Sequence, residues 1–224
     1  MNMNTAIIVT SYCGGVDNEK KQYMTKILCE HLSKLNYYVC LASHSPIAIE
    51  TQTLCNACIY DFDNSFQENG IPSGYVPIHG HSTAELRSIY NGINHLSRMN
   101  FKNIFKISYD TVPDIDYHFL IEKCLQTNKK FVGHNWGPVL NTLGTNIFFS
   151  EIAFFKKILS FEELNRAGKF STVGGDIEYI LYDSIQEKGL LDQVHIIPDY
   201  HDFFGIDIIS YSHGGGIRLE HYPF

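Results

Sequence analysis

No run of this chain reaches the roughly 18 consecutive apolar residues that a membrane-spanning helix needs, so no membrane span is expected. The first five residues carry no basic charge, and the apolar run at 6–9 is too short for a secretory leader. The expected location is therefore the cytoplasm. Cations are scarce: Lys and Arg number 17 against 24 Asp and Glu, a net charge of −7. Such a chain lacks the electrostatic footprint of a duplex-binding protein. It retains the means to grip a phosphorylated ligand through a few placed cations, backbone amides or a divalent metal. Charged residues make up only 18% against 44% hydrophobic, which excludes a disordered chain, a collagen and a coiled coil. There is no G-x-G-x-x-G and no G-x-x-x-x-G-K-[ST], which disfavours a dinucleotide oxidoreductase and a P-loop NTPase. The absence of G-x-S-x-G disfavours the usual serine hydrolases.

What is present fits one α/β domain of 224 residues, long enough to fold without a disulfide or metal staple. The six cysteines are scattered, as expected of reduced, buried thiols. Cys55 and Cys58 form a C-x-x-C. Its expected place is late in a helix, as two packed thiols on successive turns. A redox pair would need a strand before it and a helix dipole at the first Cys. Aromatic residues are abundant at 13%, most of them expected in the core.

Apolar, β-branched stretches predict strands at 6–10, 37–42, 58–60, 102–108, 130–134, 146–150 and 194–198. Helical periodicity covers 18–35, with Tyr23, Ile27, Leu28, His31, Leu32 and Leu35 on one stripe. Further helices are expected at 47–57, from Ser82 or Thr83 as a cap to about 99, at 115–127, 152–159 and 176–188. Glu85 would lie in the first turn of its helix. The tail from Tyr200 reads as loop-rich. The opening order β-α-β-α-β predicts a mostly parallel sheet flanked by helices.

Ligands of such sheets sit at the carboxyl ends of the strands. The residues there are polar: Thr10, Ser11 and Tyr12; Ser43, His44 and Ser45; Asp61, Asp63 and Asn64; Ser108, Tyr109 and Asp110. Internal reasons would also place them there, such as Asx-turns. The sharper feature is the hydrophobic strand that ends at Asp110, preceded by Gly80-x-Ser82-x-Ala84, Arg87, Asn91 and Gly92.

These residues resemble a small GT-A-type nucleotide-sugar glycosyltransferase. In that family a helix with a G-x-S-x-A…R…N-G pattern precedes a strand ending in D-x-D. The pattern is also similar to small glycosyltransferase-like proteins of phages and giant viruses, which would place the chain in a host cytoplasm. The likeness runs over roughly residues 5–195. It implies a GT-A-like domain over 1–224, with a donor half at about 1–110 and an acceptor half with a C-terminal loop at about 111–224. Ser108 stands at the first D-x-D position and Asp110 at the last, so Asp110 would bind Mn²⁺ or Mg²⁺. His213, in a glycine-rich segment, would be a second metal ligand, with His201 the next choice.

The resemblance further implies a nucleoside-diphosphate sugar donor, UDP favoured. The donor would be held by Thr10, Ser11, Tyr12, Ser43, His44, Asp61, Asn64, Arg87, Ser108 and Tyr109. Trp136 and Asn146 would face the acceptor, a glycan or other hydroxyl-bearing molecule, with a nucleic-acid acceptor still open. Asp176 and Glu178, opening a helix behind Gly174 and Gly175, would include the general base that takes the acceptor's proton. The helix dipole favours their ionised form; capping alone is the competing role. Asp176 is the first choice, because the bare backbone before it leaves room for an acceptor. Lys106 has two readings, a solvated residue at a strand edge or a cation near the diphosphate. Two other functions stay open: a catalytically degenerate sugar-nucleotide-binding or interaction module, and a metal-dependent hydrolase built on the His79, His81 and His201-Asp202 pairs.

Overall fold

In the computed structural model, the described residues are 4–11, 18–43, 45–60, 78–111, 115–134, 143–160, 163–164, 177–198 and 200–205. For 78–84 and 177–178 this covers the backbone alone. The β-branched stretch Thr5–Ser11 forms β1, buried along its whole length. Around it lie β2 (Tyr38–Ser43), β3 (Ala57–Tyr60), β4 (Asn103–Ser108), β5 (Phe131–His134), β6 (Ile147–Glu151) and β7 (Val194–Ile197). They make one sheet in the order β3-β2-β1-β4-β6-β5-β7. All pairings are parallel except those of β6, which runs antiparallel to both β4 and β5. The sheet is thus mostly parallel, as expected.

Helices cover both faces. On one face lie α3 (Ile78–Arg98), α5 (Ile152–Ile158) and α6 (Ile177–Glu187). Leu86, Ile89, Ile93 and Leu96 of α3 pack there on Ala6, Ile8, Cys40, Ala42 and Ile104. The 3–4 spacing of these α3 residues is what forms an apolar stripe on a helix. On the other face lie α1 (Asn18–Ser33), α4 (Tyr117–Gln126) and α7 (Tyr200–Phe204). Leu28, Leu32, Leu120 and Ile121 pack there on Ile7, Val9, Val39, Phe105 and Ile107. Among the described residues no helix is long and apolar enough to cross a membrane.

Several boundaries differ from expectation. The helix expected at 47–57 is the short α2 (Ile49–Gln52), and β3 starts at Ala57. Cys55 therefore follows the helix and Cys58 lies on a strand, where their Sγ atoms donate to the carbonyls of Thr51 and Gln52. Cys29, Cys40, Cys55, Cys58 and Cys124 are free thiols. Hydrogen bonding with Cys29 pushes the Cys55 thiol up, and hydrogen bonding with Cys55 pushes the Cys58 thiol up. A redox pair needs the opposite shift. Helix α3 begins at Ile78, so Ser82 and Thr83 lie inside it and Glu85 falls beyond its first turn. Helix α1 buries Thr25, Leu28, Cys29 and Leu32. Tyr23 of the expected stripe stays 38% exposed, because the buried face is rotated by about one residue. Within the tail expected to be loop-rich, Tyr200–Phe204 is helical and anchors Phe204 in the core.

Candidate functional site

The register aligns one polar row. Thr10 pairs with Ser108, Ser11 with Ser43, and Ser43 with Tyr60. The antiparallel β6 brings its start to the same rim, where the Ser108 amide donates to the Asn146 carbonyl at 2.8 Å. The Tyr109 amide donates to the Thr10 carbonyl at 2.9 Å, locking the end of β4 to that of β1. Beyond β4 the chain turns tightly, with the Thr111 amide donating to the Ser108 carbonyl at 3.1 Å. Asp110 sits inside this turn, only 3% exposed. Beside it Thr111 is 2% exposed, and its hydroxyl has no hydrogen-bond partner among the described residues.

The other rim hydroxyls point inward. Ser11 Oγ lies 2.8 Å from Thr25 Oγ1, which gives its own proton to the Lys21 carbonyl. Ser43 Oγ lies within reach of the Ser11 and Ser45 carbonyls. Both hydroxyls brace the strand ends. Asn146 and Arg87 are half-buried, Asn146 on the rim and Arg87 on α3. His201 and Asp202 are exposed on α7. Tyr12, His44, Asp61, Asp63, Asn64, Trp136, Asp176 and His213 lie outside the described residues, as do the side chains of His79, His81 and Glu178.

Beneath the rim is a group that sequence reasoning misplaced. Strand β4 is central, between β1 and β6, so Lys106 cannot be at an edge; it is fully buried. A buried ammonium must be paired and hydrogen-bonded. Lys106 Nζ forms an ion pair with Glu85 of α3, donates to Ser108 Oγ at 2.7 Å, and donates to the Thr145 carbonyl. Those three bonds use all three of its protons, so none is left for a diphosphate. Three hydroxyls also approach the Glu85 carboxylate: Thr10 and Ser108 at Oε1, 3.5 and 3.4 Å away, and Thr145 at Oε2, 3.3 Å away. The Glu85 side chain keeps a quarter of its surface exposed. A charge at the fourth position of an otherwise largely apolar strand was the available signal, but a sheet edge and a paired interior charge look alike in sequence.

A second missed group stands further along the rim, at the end of β5. His134 shares a hydrogen bond between its Nδ1 and the Tyr200 hydroxyl. Burial pushes the imidazole down to about 4, so it is neutral at pH 7. Gly144 lies against the ring: a β-carbon built there would overlap it. The Gly144 amide donates to the His134 carbonyl at 2.7 Å.

No family model matches the sequence, and no curated protein matches it. The chain is similar in structure to a protein assigned as a nucleotide-diphospho-sugar transferase from Desulfovibrio desulfuricans G20. The TM-score is 0.52 at 10% identity, over 88% of this chain and 80% of that one. The fold is GT-A-like. The core-mannan synthase A of Aspergillus fumigatus, in its Mn/GDP form, aligns at TM-score 0.49 and 14% identity, over 87% of this chain and 72% of that one. A cytidylyltransferase from Leptospira borgpetersenii aligns at 0.49 and 11% identity, over 93% and 82%. At these identities the likeness is one of fold. In a GT-A-like sheet of this chain, the row Thr10, Ser11, Ser43, Ser108 and the turn at Asp110 form the carboxyl rim, where α/β sheets bind ligands.

Proposed function

We propose that this chain is a glycosyltransferase that moves a sugar from a nucleoside-diphosphate sugar, UDP favoured, to an acceptor hydroxyl. The observation that carries the reading is the buried Asp110 carboxylate in a tight turn on the carboxyl rim of a GT-A-like sheet. A hard divalent ion that arrives with a diphosphate needs only one or two protein carboxylates. Among the described residues no cluster of three or more His, Cys, Asp or Glu could hold a metal by itself. One acid beside the buried, uncommitted Thr111 hydroxyl fits an ion held mostly by its substrate. Asp110 would hold Mn²⁺ or Mg²⁺, with His213 as a second ligand. When bound, the ion would neutralise charge on the diphosphate leaving group.

The donor contacts proposed are Thr10, Ser11, Tyr12, Ser43, His44, Asp61, Asn64, Arg87, Ser108 and Tyr109, in a donor half over about 1–110. The second half, with Trp136 and Asn146, receives the acceptor. Asp176 takes the acceptor proton and Glu178 supports it. Removing a positioned base costs about 10²–10⁴-fold in rate. Asp176→Asn should lose that much turnover while keeping donor affinity. A dead Glu178→Gln beside an active Asp176→Asn would swap the two roles.

The test of the whole reading is a thermal-shift screen of nucleotide sugars with and without Mn²⁺. A ligand at 100 times its Kd adds about 2.7 kcal/mol of stability. Stabilisation by one nucleotide class, dependent on Mn²⁺, supports the reading. A flat response to every nucleotide sugar defeats it. One observation favours a second reading, a binding module without transferase activity: the Ser108 hydroxyl is already committed to Lys106 and Glu85. Binding of a donor with neither transfer nor hydrolysis would select it.

A further inference from the structure

We infer that Lys106 and Glu85 are positioning residues, a charge pair with a fully buried lysine that sets the Ser108–Asp110 turn from beneath; their effect on ligand binding rests on the nucleotide-sugar reading proposed above. Lys106 reaches three separate pieces of chain at once. Its ammonium meets Glu85 on α3, Ser108 at the end of its own strand, and the Thr145 carbonyl before β6. Ser108 is the residue whose carbonyl receives the Thr111 amide and whose amide reaches Asn146. The side chain and main chain of Ser108 are therefore both fixed, and Asp110 hangs between fixed points. Glu85 closes the set by accepting from Thr10 on β1 and Thr145. A core that needed only filling would place an apolar residue at 106, as it does at Ile104 on the same face. A charge here demands Glu85, and the pair in turn fixes α3, β1, β4 and the lead into β6 relative to one another.

The experiment compares wild type with Glu85→Gln/Lys106→Met in the full chain. Removing both charges avoids the orphaned charge that either single change leaves. Folding is checked by a cooperative melt. Amide hydrogen exchange is then read at Tyr109 and Thr111, with Phe105 as the internal control. Positioning predicts exchange at Tyr109 and Thr111 roughly tenfold faster or more in the double variant, with Phe105 unchanged. Unchanged exchange at the turn overturns the inference, and so does a uniform rise that includes Phe105. Should the double variant fail to melt cooperatively, Lys106→Arg, which keeps the charge, is read the same way. A second arm titrates UDP and GDP with Mn²⁺ by calorimetry. Wild-type binding that weakens in the folded double variant supports the inference, and equal binding counts against it. If wild type binds no nucleotide but the turn loosens as stated, the nucleotide-sugar reading falls and the positioning role stands.

Discussion

Lys106 donates all three of its protons inside the protein, so its replacement bears directly on stability near the rim. Lys106→Met leaves the Glu85 carboxylate without its counter-charge. That should cost about 3–5 kcal/mol, while Glu85→Gln/Lys106→Met should recover most of it. Urea unfolding of the two variants checks this; equal losses would mean the pair is not coupled. His134 gives a pH test at the same scale. Burial lowers its imidazole to about 4 against about 6.5 in an unfolded chain. Its contribution is complete above pH 6.5 and is lost as pH falls toward 4, because the unfolded chain takes up the proton first. Between pH 7 and pH 5 wild type should lose about 2 kcal/mol more than His134→Gln. Parallel curves would show that the fold does not lower the His134 imidazole. Neither group was legible as such in the sequence. Lys106 read as an edge residue because strand order, which makes β4 central, is not written in local pattern. His134 gained its partner from Tyr200, 66 positions away.

At the scale of elements, local pattern carried most of the fold. The β-branched run at β1 and the apolar stripe of α3 are both where periodicity put them. The start of α3 was not, since Ser82 and Thr83 are good caps by type but a helix continues through them when the preceding residues can join it. Two elements give measurable consequences. Helix α4 is capped by Asp116, whose side chain accepts from the Phe119 amide at 3.0 Å. Asp116→Ala should cost about 1 kcal/mol, read by urea unfolding. Helix α3 approaches β1 closely at the buried Gly92, where an added β-carbon would sit 3.3 Å from Ile8 Cδ1. The two further methyls of Gly92→Val should overpack this contact and cost about 1–3 kcal/mol. The same helix carries Glu85, so this variant should also speed amide exchange at Thr111. A melting temperature equal to wild type would show that the helix has room to spare.

For the whole molecule, the mostly parallel sheet and its polar carboxyl rim were legible, because alternating strands and helices leave few topologies. The reversal of β6 was not, since a five-residue apolar strand carries no mark of its direction. That reversal is what brings Asn146 and Thr145 to the rim beside Ser108. Of the residues proposed to hold the donor, Thr10, Ser11, Ser43 and Ser108 lie at strand ends as expected, but the sequence did not show that Ser11 and Ser43 turn their hydroxyls into the fold. Asp110 is the residue on which the account turns. The most direct measurement is calorimetric titration of UDP-sugars and GDP-sugars into wild type, Asp110→Asn and Ser108→Ala, each with and without Mn²⁺. The account predicts binding to wild type that requires Mn²⁺, a loss of that metal dependence in Asp110→Asn, and a much smaller change in Ser108→Ala, because a divalent ion prefers carboxylate over hydroxyl oxygen. Nucleotide-sugar binding that is equally strong in Asp110→Asn, or that ignores Mn²⁺ in wild type, would contradict it.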